Sequence, residues 1–422
     1  MKVFKFGGAS VKDAQAVKNV ARILSLYDGE KLGIVISAMG KTTNAMEKVI
    51  DAYWIKDEVL FQDLVEEIRQ FHYEIMDVLF SDRESKVFDA VDQVLRDLGE
   101  RFKEDRSGSY DFEYDQLVGF GELISTKIVS SFLIESGFSA KWMDARTLIQ
   151  TNNIFREAEV DWEQTEHNFQ SKFVPEFDGT DILVTQGFIG ANSSSTTTLG
   201  REGSDFTAGI VAYCCNADNV TIWKDVPGML NADPKWFDHT VKLDQISFRE
   251  AIELSYYGAS VIHPKTVKPL QNKRIPLHVK SFLDPSAEGT VIQESTTSDH
   301  LVPSFIFKMN QVLFSISPKD FSFIVEKNLS DIFARLSKAN AKINLMQNSA
   351  LKFSILLDGD KVDSSQILEV FKDSYDVKFN EGLELVTIRH YDQATINRVT
   401  EGKEILLQQK TRETARLIVK QK

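Results

Sequence analysis

The chain has 422 residues, of which 42% are hydrophobic and 26% charged, and its formal net charge is −13 at pH 7. This composition is typical of a soluble globular protein of two or three domains, and the acidic balance argues against nucleic acid or an anionic membrane as the main partner. No apolar run approaches the roughly 20 residues that cross a bilayer. Cys214 and Cys215 are adjacent and give no disulfide framework, and the N-terminus has no signal-peptide pattern, so we expect a cytoplasmic protein.

The first ten residues have the pattern of a strand, a glycine turn and a helix. An apolar, β-prone run over residues 2–6 is interrupted by Gly7 and Gly8, and an amphipathic helical pattern opens at Ser10. Glycine lets a backbone approach a ligand closely, and a helix N-terminus supplies N–H groups that suit phosphate. Lys5 adds a positive charge just before the turn. Taken alone, an ordinary buried strand with a turn explains these residues about equally well.

Alternating strand and helix patterns continue to about residue 282 and predict an α/β domain with a mostly parallel sheet. The predicted strands cover residues 32–36, 139–144, 181–188, 220–223, 258–264 and 275–279, and we expect the last of these to close the domain. Residues from about 45 to 103 have a helical period with charged faces, which is typical of packed helices in a lobe.

Polar loops follow several of these predicted strands, where ligands bind in α/β sheets. Residues 37–44 form a small, hydroxyl-rich loop, and Glu122 lies in the first turn of a later predicted helix. Arg201 lies between two glycines, an arrangement that can direct a guanidinium at a carboxylate or a phosphate. Ser204 or Asp205 can cap the apolar helix that follows.

The last third of the chain has a different pattern. Polar residues 284–303 are expected to form a boundary, and the patterns from about 305 to 380 follow the order strand, helix, strand, strand, helix, strand. This order is that of a ferredoxin-like βαββαβ unit. Three more strand-like runs, at 383–388, 405–407 and 417–419, have little helix between them.

Together these motifs resemble the aspartate kinases, a family with the amino-acid kinase fold and an ACT regulatory region. Residues 5–10 resemble the Lys-Phe-Gly-Gly-Thr-Ser signature of that family, with Ala9 in place of the threonine. Ser260 stands where many members have a lysine that reaches the nucleotide. The match continues in order through residues 37–44, 121–122, 185–188, 199–205, 225–228 and 258–264.

The resemblance implies a central, mostly parallel sheet sandwiched by helices, followed by the ACT region. On this basis the catalytic domain is expected at 1–297, with a helical lobe at about 45–105, and the regulatory region at 298–422. One full ACT unit is expected at about 305–380 and an abbreviated second unit at about 381–422.

The resemblance also implies a transferase that moves the γ-phosphoryl group of ATP to the side-chain carboxylate of L-aspartate, the first step of lysine, threonine and methionine biosynthesis. A carboxylate with a pKa of about 4 is already ionised at neutral pH, so no general base is needed. Catalysis then rests on positioning and electrostatic stabilisation. Mg²⁺ is expected to bridge the phosphates, with no separate metal site in the protein. Two alternatives remain: a related kinase with another acceptor, such as glutamate or a nucleoside monophosphate, and a non-catalytic ACT-type amino-acid sensor.

Roles for individual residues follow from the same resemblance. Lys5 is expected to stabilise the transferring phosphoryl group, Arg201 to bind the α-carboxylate of aspartate, and Glu122, with Asp205, to bind its ammonium group. The expected acceptor site comprises Ser37, Thr43, Glu122, Phe188, Arg201 and Ser204, and Asp205 joins Lys5 as a catalytic residue. The expected nucleotide site comprises Lys5, Gly7, Gly8, Ser10, Lys224, Asp225 and Lys235.

The ACT region implies feedback control by threonine or lysine and a homodimer that forms through this region. The expected effector strand covers residues 342–349 and includes Asn344, Gln347 and Asn348. Asn344 and Ala350 stand where lysine-sensitive relatives often have an acidic residue. Because less negative charge is then available for an ε-ammonium group, we expect lysine to inhibit weakly or to be replaced by threonine.

Overall fold

The computed structural model describes residues 1–104, 106, 108–259, 262–320 and 322–422. Within these residues the chain forms two compact units. Unit 1 comprises Met1–Leu230, Lys242–Ser255 and Ser260–Asp299. Unit 2 comprises His300–Lys422 together with two short earlier segments, Asn231–Val241 and Tyr256–Ala259.

Unit 1 is built around a central sheet whose strands are almost all parallel, as predicted. Its strands, with those of a small hairpin, are β1 (Lys2–Phe6), β2 (Leu32–Ile36), β3 (Ala140–Met143), β4 (Ile182–Gln186), β5 (Ile189–Ala191), β6 (Thr196–Thr198), β7 (Asn219–Lys224), β8 (Gln245–Ser247), β9 (Leu277–Ser281) and β10 (Thr290–Gln293). The sheet order is β3-β4-β2-β1-β7-β9-β10-β8, and only the β9–β10 pair is antiparallel. β5 and β6 form the separate hairpin. Because β1, β2, β4 and β7 run in one direction, their carboxyl ends lie at the same edge.

Helices surround this sheet and supply most of the core of unit 1. They are α1 (Ala14–Leu24), α2 (Thr42–Trp54), α3 (Glu58–Leu79), α4 (Lys86–Arg101), α5 (Tyr110–Val118), α6 (Phe120–Glu135), α7 (Trp162–Asn168), α8 (Gly203–Cys215), α9 (Phe248–Tyr257) and α10 (Pro264–Lys273). α2, α3 and α4 lie where the helical period predicts packed helices, and their apolar faces are buried in one cluster with β1 and β2.

One segment, Tyr110–Glu135, is long and apolar enough to cross a membrane by length and composition. It spans α5 and α6, and 72% of its most apolar window is buried inside unit 1. Such burial is the ordinary state of a core helix in a globular protein.

The first helix does not begin where the sequence predicts. Gly8–Val11 form a short 3-10 turn, and α1 begins only at Ala14. Asp13 caps α1 by accepting a hydrogen bond from Ala16 N at 2.8 Å. The predicted start at Ser10 is therefore wrong, because the amide of Ser10 donates to Gly7 O within the turn, at 2.9 Å.

Two strand predictions near the end of unit 1 are also wrong. In the segment 258–264, Ser260 and Val261 lie outside the described residues. Gly258, Ala259, Ile262 and His263 lie outside any strand, and α10 begins at Pro264. His263 is extended and caps α10, because its Nδ1 accepts from Lys265 N at 3.2 Å.

The predicted last strand of unit 1, at 275–279, corresponds to β9 but is followed by β10. β10 lies inside the polar stretch 284–303 that was expected to be a boundary. Only Val291 and Ile292 of its four residues are apolar. So short a pattern gives no periodic signal.

Unit 2 is a six-stranded antiparallel sheet with helices. Its elements are β11 (Ser304–Pro318), α11 (Glu326–Lys338), β12 (Ile343–Asn348), β13 (Phe353–Asp358), α12 (Ser364–Phe371), β14 (Tyr375–Arg389), α13 (Gln393–Thr400), β15 (Lys403–Lys410) and β16 (Thr414–Gln421). The sheet order is β12-β13-β11-β14-β16-β15. The first six elements follow the predicted βαββαβ order, so the predicted fold class is confirmed.

The remaining part of unit 2 shares its two longest strands with that βαββαβ unit. β11 and β14 are each 15 residues long, and residues 304–308 of β11 pair with the end of β14, which in turn pairs with β16. The expectation of little helix after residue 380 is wrong, because α13 lies between β14 and β15. α13 buries only Ile396 and Val399, and Asp392 caps it. Three apolar residues in eight, of which only two are buried, are too few to predict a helix from periodicity.

Candidate active site

A cavity of about 830 Å³ lies in unit 1 at the carboxyl ends of β1, β2, β4 and β7. Nine of the residues that were predicted for the two substrate sites line it: Lys5, Ser37, Thr43, Glu122, Phe188, Arg201, Ser204, Asp205 and Lys224. They come from segments up to about 220 residues apart in sequence. The parallel sheet brings Lys5, Ser37, Phe188 and Lys224 together, because they end or directly follow its strands at one edge. The first turns of α2, α6 and α8, with the loop before α8, place the other five at the same edge.

A buried ion cluster occupies one wall of this cavity. Lys5 Nζ lies 2.6 Å from Asp205 Oδ1, and Lys224 Nζ lies 3.5 Å from Asp205 Oδ2. The side chains of Lys5 and Asp205 are only 11% and 4% exposed. Burial alone would raise the pKa of Asp205, but Lys5 and Lys224 more than offset it and hold this pKa below its ordinary value. The cluster therefore consists of two cationic lysine side chains and one ionised carboxylate.

The glycine turn after β1 packs closely against its neighbours. A Cβ on Gly8 would lie 2.6 Å from Gly40 O, closer than real Cβ atoms approach, and Gly40 N donates to Gly8 O at 3.1 Å. A Cβ on Gly7 would lie 3.2 Å from Lys5 Nζ. The two glycines thus let the turn lie against the 38–40 loop and leave room for the ammonium group of Lys5.

The loop that carries Arg201 leads directly into α8. Gly200 and Glu202 both have positive φ, at 77° and 54°, and Glu202 is the residue that precedes the helix. The prediction that Ser204 or Asp205 caps this helix is wrong, because both lie within its first turn. This location puts Asp205 at the positive end of the helix dipole, which favours its ionised form.

Glu122 lies in the first turn of α6 and is 2% exposed. Its Oε1 accepts from Ala38 N at 3.4 Å, and its Oε2 has no hydrogen-bond partner among the described residues. Burial raises the pKa of Glu122 to about 7, and Lys5 opposes this shift only weakly. A buried acceptor without a partner, facing a cavity, is a site for a cationic donor.

Several predicted residues do not line the cavity. They are Gly7, Gly8, Ser10 and Asp225 in unit 1, and Lys235, which belongs to unit 2. Ser10 is buried in the turn, where its Oγ donates to Trp223 O at 3.4 Å. Ala9 and Asp225 are exposed, and Ser260 lies outside the described residues.

One wall of the cavity was not predicted from the sequence. It comprises Asp111, Tyr114, Ile154, Phe155, Arg156 and Glu157. The guanidinium carbon of Arg156 lies 4.3 Å from the ring centre of Tyr114, and one of its nitrogens lies 3.4 Å from Asp111 Oδ1. Arg156 also has a positive φ of 67°, which is uncommon for a residue with a side chain. No spacing or composition signal marks this stretch in the sequence.

The three predicted effector residues lie on β12 in unit 2. The amide of Asn344 is already paired: Oδ1 accepts from Lys308 Nζ at 2.8 Å and Nδ2 donates to Gln311 Oε1 at 2.7 Å. Asn344 O also accepts from Arg416, at 2.6 Å. Gln347 and Asn348 are exposed.

Comparison with known proteins gives matches along the chain. Residues 1–281 match the amino acid kinase family. The chain is 31% identical over 396 residues to the lysine-sensitive aspartokinase 3 of Escherichia coli strain K12, covering 92% of this chain and 86% of that protein.

Two solved structures are similar over 99% of the chain. One is E. coli aspartokinase III in complex with lysine and aspartate, in the T-state, with a TM-score of 0.83, 27% identity and 95% of that chain covered. The other is E. coli aspartokinase III in complex with aspartate and ADP, in the R-state, with a TM-score of 0.79, 28% identity and 96% covered.

The raised pKa of Glu122 predicts a stability cost that depends on pH. Between its ordinary pKa of 4.5 and about 7, the folded protein keeps a proton that the unfolded chain has lost, so stability falls as pH rises through this window. Glu122→Gln removes the effect. We expect the free energy of unfolding of Glu122→Gln, relative to the unsubstituted protein, to increase by about 2–3 kcal/mol from pH 5 to pH 8.

Denaturant unfolding of both proteins at the two pH values measures this change. Glu135→Gln, at the exposed end of the same helix, is the matched control, and the change at Glu122 is judged against it. An equal difference at pH 5 and pH 8 for Glu122→Gln would contradict the assignment.

Proposed function

The chain belongs to the amino acid kinase family and, within it, to the aspartokinases, and from this premise we propose that it transfers the γ-phosphoryl group of ATP to the side-chain carboxylate of L-aspartate. The products are ADP and 4-phospho-L-aspartate. The observation that carries the proposal is the convergence, in one cavity, of the Lys5–Asp205–Lys224 cluster with Arg201 and Glu122. The first group suits a transferring phosphoryl, and the second suits the two charged groups of an α-amino acid.

The acceptor half of the cavity has one group for each charge of the amino acid. Arg201 can bind an α-carboxylate through two parallel hydrogen bonds. Glu122 can accept a hydrogen bond from the ammonium group at Oε2, which has no partner among the described residues. A cation at this position lowers the raised pKa of Glu122 and keeps it ionised. Ser37, Thr43 and Ser204 supply hydroxyls, and Phe188 supplies an apolar side.

The phosphoryl half depends on Lys5. In the transfer, the γ-phosphoryl group passes from ADP to the acceptor carboxylate, and all three groups are anionic. The main requirement is therefore a preorganised cation. Lys5 Nζ supplies it, while Lys224 stays close enough to keep Asp205 paired when Lys5 turns to the phosphoryl group. The backbone N–H groups of Gly7 and Gly8 stay assigned to the phosphates on the family resemblance alone, because neither glycine lines the cavity. Ser10 supports that turn, because its amide and hydroxyl already donate to Gly7 O and Trp223 O.

The remaining nucleotide contact within unit 1 is assigned to Asp225, which follows Lys224 at the end of β7. The nucleotide role expected of Lys235 stays a prediction, because Lys235 belongs to unit 2. Mg²⁺ accompanies ATP in this proposal. No three His, Cys, Asp or Glu side chains converge as a metal site in the described residues. An Mg²⁺ ion that accompanies ATP takes most of its ligands from phosphates and water. Asp205, the carboxylate of the ion cluster, is the group that would contact it, and the ion would neutralise phosphate charge.

We assign catalysis to residues 1–297 and regulation by an amino acid to residues 298–422, in a cytoplasmic homodimer that forms through the ACT region. Gln347 and Asn348 are exposed on β12 and available to an effector, with Asn344 beside them. Lys308, paired to Asn344, introduces positive charge at this position. A second ammonium group is disfavoured there, which supports threonine over lysine as the effector.

An acceptor comparison tests the proposed activity. We expect ADP release from ATP to depend on L-aspartate, with kcat/KM for L-glutamate lower by about 10- to 200-fold, because one extra methylene moves the carboxylate relative to Lys5. UMP should give no release above the rate without an acceptor. Preference for L-glutamate or UMP would indicate a kinase with another acceptor, and no acceptor-dependent release at all would indicate an amino-acid sensor.

Substitution of Lys5 tests the phosphoryl half. Lys5→Ala should lower kcat by at least about 10²–10³-fold, the effect of removing one preorganised group that stabilises transition-state charge. Lys2→Ala is the matched control, since Lys2 lies on the same strand but pairs with Glu30. Both variants should retain the far-ultraviolet circular dichroism of the unsubstituted protein. A kcat within about twofold for Lys5→Ala would remove Lys5 from the mechanism.

A further inference from the structure

Asp115 is a buried carboxylate on α5 that lies behind the unpredicted wall of the cavity. It is 0% exposed and does not itself line the cavity. Its Oδ2 accepts from Arg156 N at 3.0 Å and from Thr198 N at 2.9 Å, and its Oδ1 accepts from Thr198 Oγ1 at 2.8 Å. No Lys or Arg among the described residues forms an ion pair with it within 4.0 Å, so these hydrogen bonds are its main compensation for burial.

The donors to Asp115 lie in a loop and at the end of β6, and both segments line the cavity. Arg156 lies in the 154–157 loop, and Thr198 immediately precedes the loop that carries Arg201. The two loops are also joined directly, because Ala158 N donates to Thr198 O at 2.9 Å. A Cβ on Gly200 would lie only 3.1 Å from Arg156 O. One carboxylate therefore connects α5 to both loops at the point where they pack against each other.

The backbone of these loops requires such a connection. Arg156 and Gly200 both have positive φ, at 67° and 77°. For a residue with a side chain this conformation costs energy and persists only where the surroundings determine it. The Arg156 amide is fixed by Asp115. Burial raises the pKa of Asp115, and the three hydrogen bonds oppose that rise. These bonds thus favour the charged form, which offers only acceptors.

We propose that Asp115 is a positioning residue that fixes the acceptor-binding wall of the cavity, formed by residues 154–157 and 198–201, and so determines the affinity for L-aspartate. It acts through the amide of Arg156 and through the amide and hydroxyl of Thr198, and it thereby fixes the start of the loop that carries Arg201. The effect on affinity for L-aspartate rests on the proposed function. The effect on the position of the two loops does not depend on any substrate.

Two substitutions at Asp115 separate its roles. Asp115→Ala removes all three acceptors, and we expect KM for L-aspartate to rise at least about tenfold while KM for ATP changes by less than about twofold. Asp115→Asn keeps one oxygen for the two backbone amides, and its Nδ2 can donate to Thr198 Oγ1. This conservative variant should recover KM for L-aspartate to within about threefold.

Glu113→Ala is the matched control. Glu113 lies on the same helix and is equally buried, but it pairs with Tyr53 and Arg101. It should lower stability without changing the ratio of the two KM values. If Asp115→Ala does not fold, Thr198→Val removes the Oγ1 bond alone and should raise KM for L-aspartate about three- to fivefold.

Hydrogen exchange gives a readout that does not depend on the substrate. In the full-length protein, Asp115→Ala should increase amide exchange by at least about tenfold in residues 154–158 and 198–201, and Glu113→Ala should not. Unchanged exchange in both loops would overturn the proposal, as would a proportional rise of both KM values. If the unsubstituted protein releases no ADP with L-aspartate, the proposed function fails, and the exchange data still decide the positioning role.

Discussion

The ion pair between Lys5 and Asp205 is the interaction on which the rest of the site depends. Two buried charges lose their hydration, and this loss is compensated only when geometry and partners are good. Here β1 supplies the lysine, the first turn of α8 supplies the carboxylate, and β7 supplies Lys224 as a second cation. The glycine turn after β1 leaves room for the ammonium group. The parallel sheet is thus the frame that keeps three charges from distant segments within a few ångströms.

The two halves of the cavity differ in their charge. Around Asp205 the excess charge is positive, which suits phosphates, whereas burial raises the pKa of Glu122 to about 7. The acceptor carboxylate needs no deprotonation, so the cavity needs no catalytic histidine and positions charge instead. Asp115 lies behind the cavity wall and fixes the backbone of the segments that lead to Arg156 and Arg201. The affinity for L-aspartate is therefore assigned to the loops that Asp115 fixes, and turnover is assigned to Lys5.

Much of the fold and of the cavity could be predicted because the signals are local. Apolar strands that end in glycine or polar loops predicted β1, β2, β4 and β7, and the residues that follow them line the cavity. Asp115 escaped prediction because its partners are backbone amides and one hydroxyl 41 and 83 residues away, and no residue type marks such partners. β10 and α13 were not predicted because each is short and has only two or three apolar residues, so tertiary packing rather than periodicity defines them.

The chemical identity of the product tests the account most directly. Hydroxylamine converts an acyl phosphate into a hydroxamate, so a reaction with ATP, Mg²⁺, L-aspartate and hydroxylamine traps the transferred group. If phosphoryl passes beside Lys5 to the side-chain carboxylate, the β-hydroxamate of aspartate should form in step with ADP, and Lys5→Ala should lower both rates by at least about 10²–10³-fold. Release of ADP together with inorganic phosphate but without hydroxamate, when authentic acyl phosphate is trapped under the same conditions, would mean transfer to water and would contradict the account.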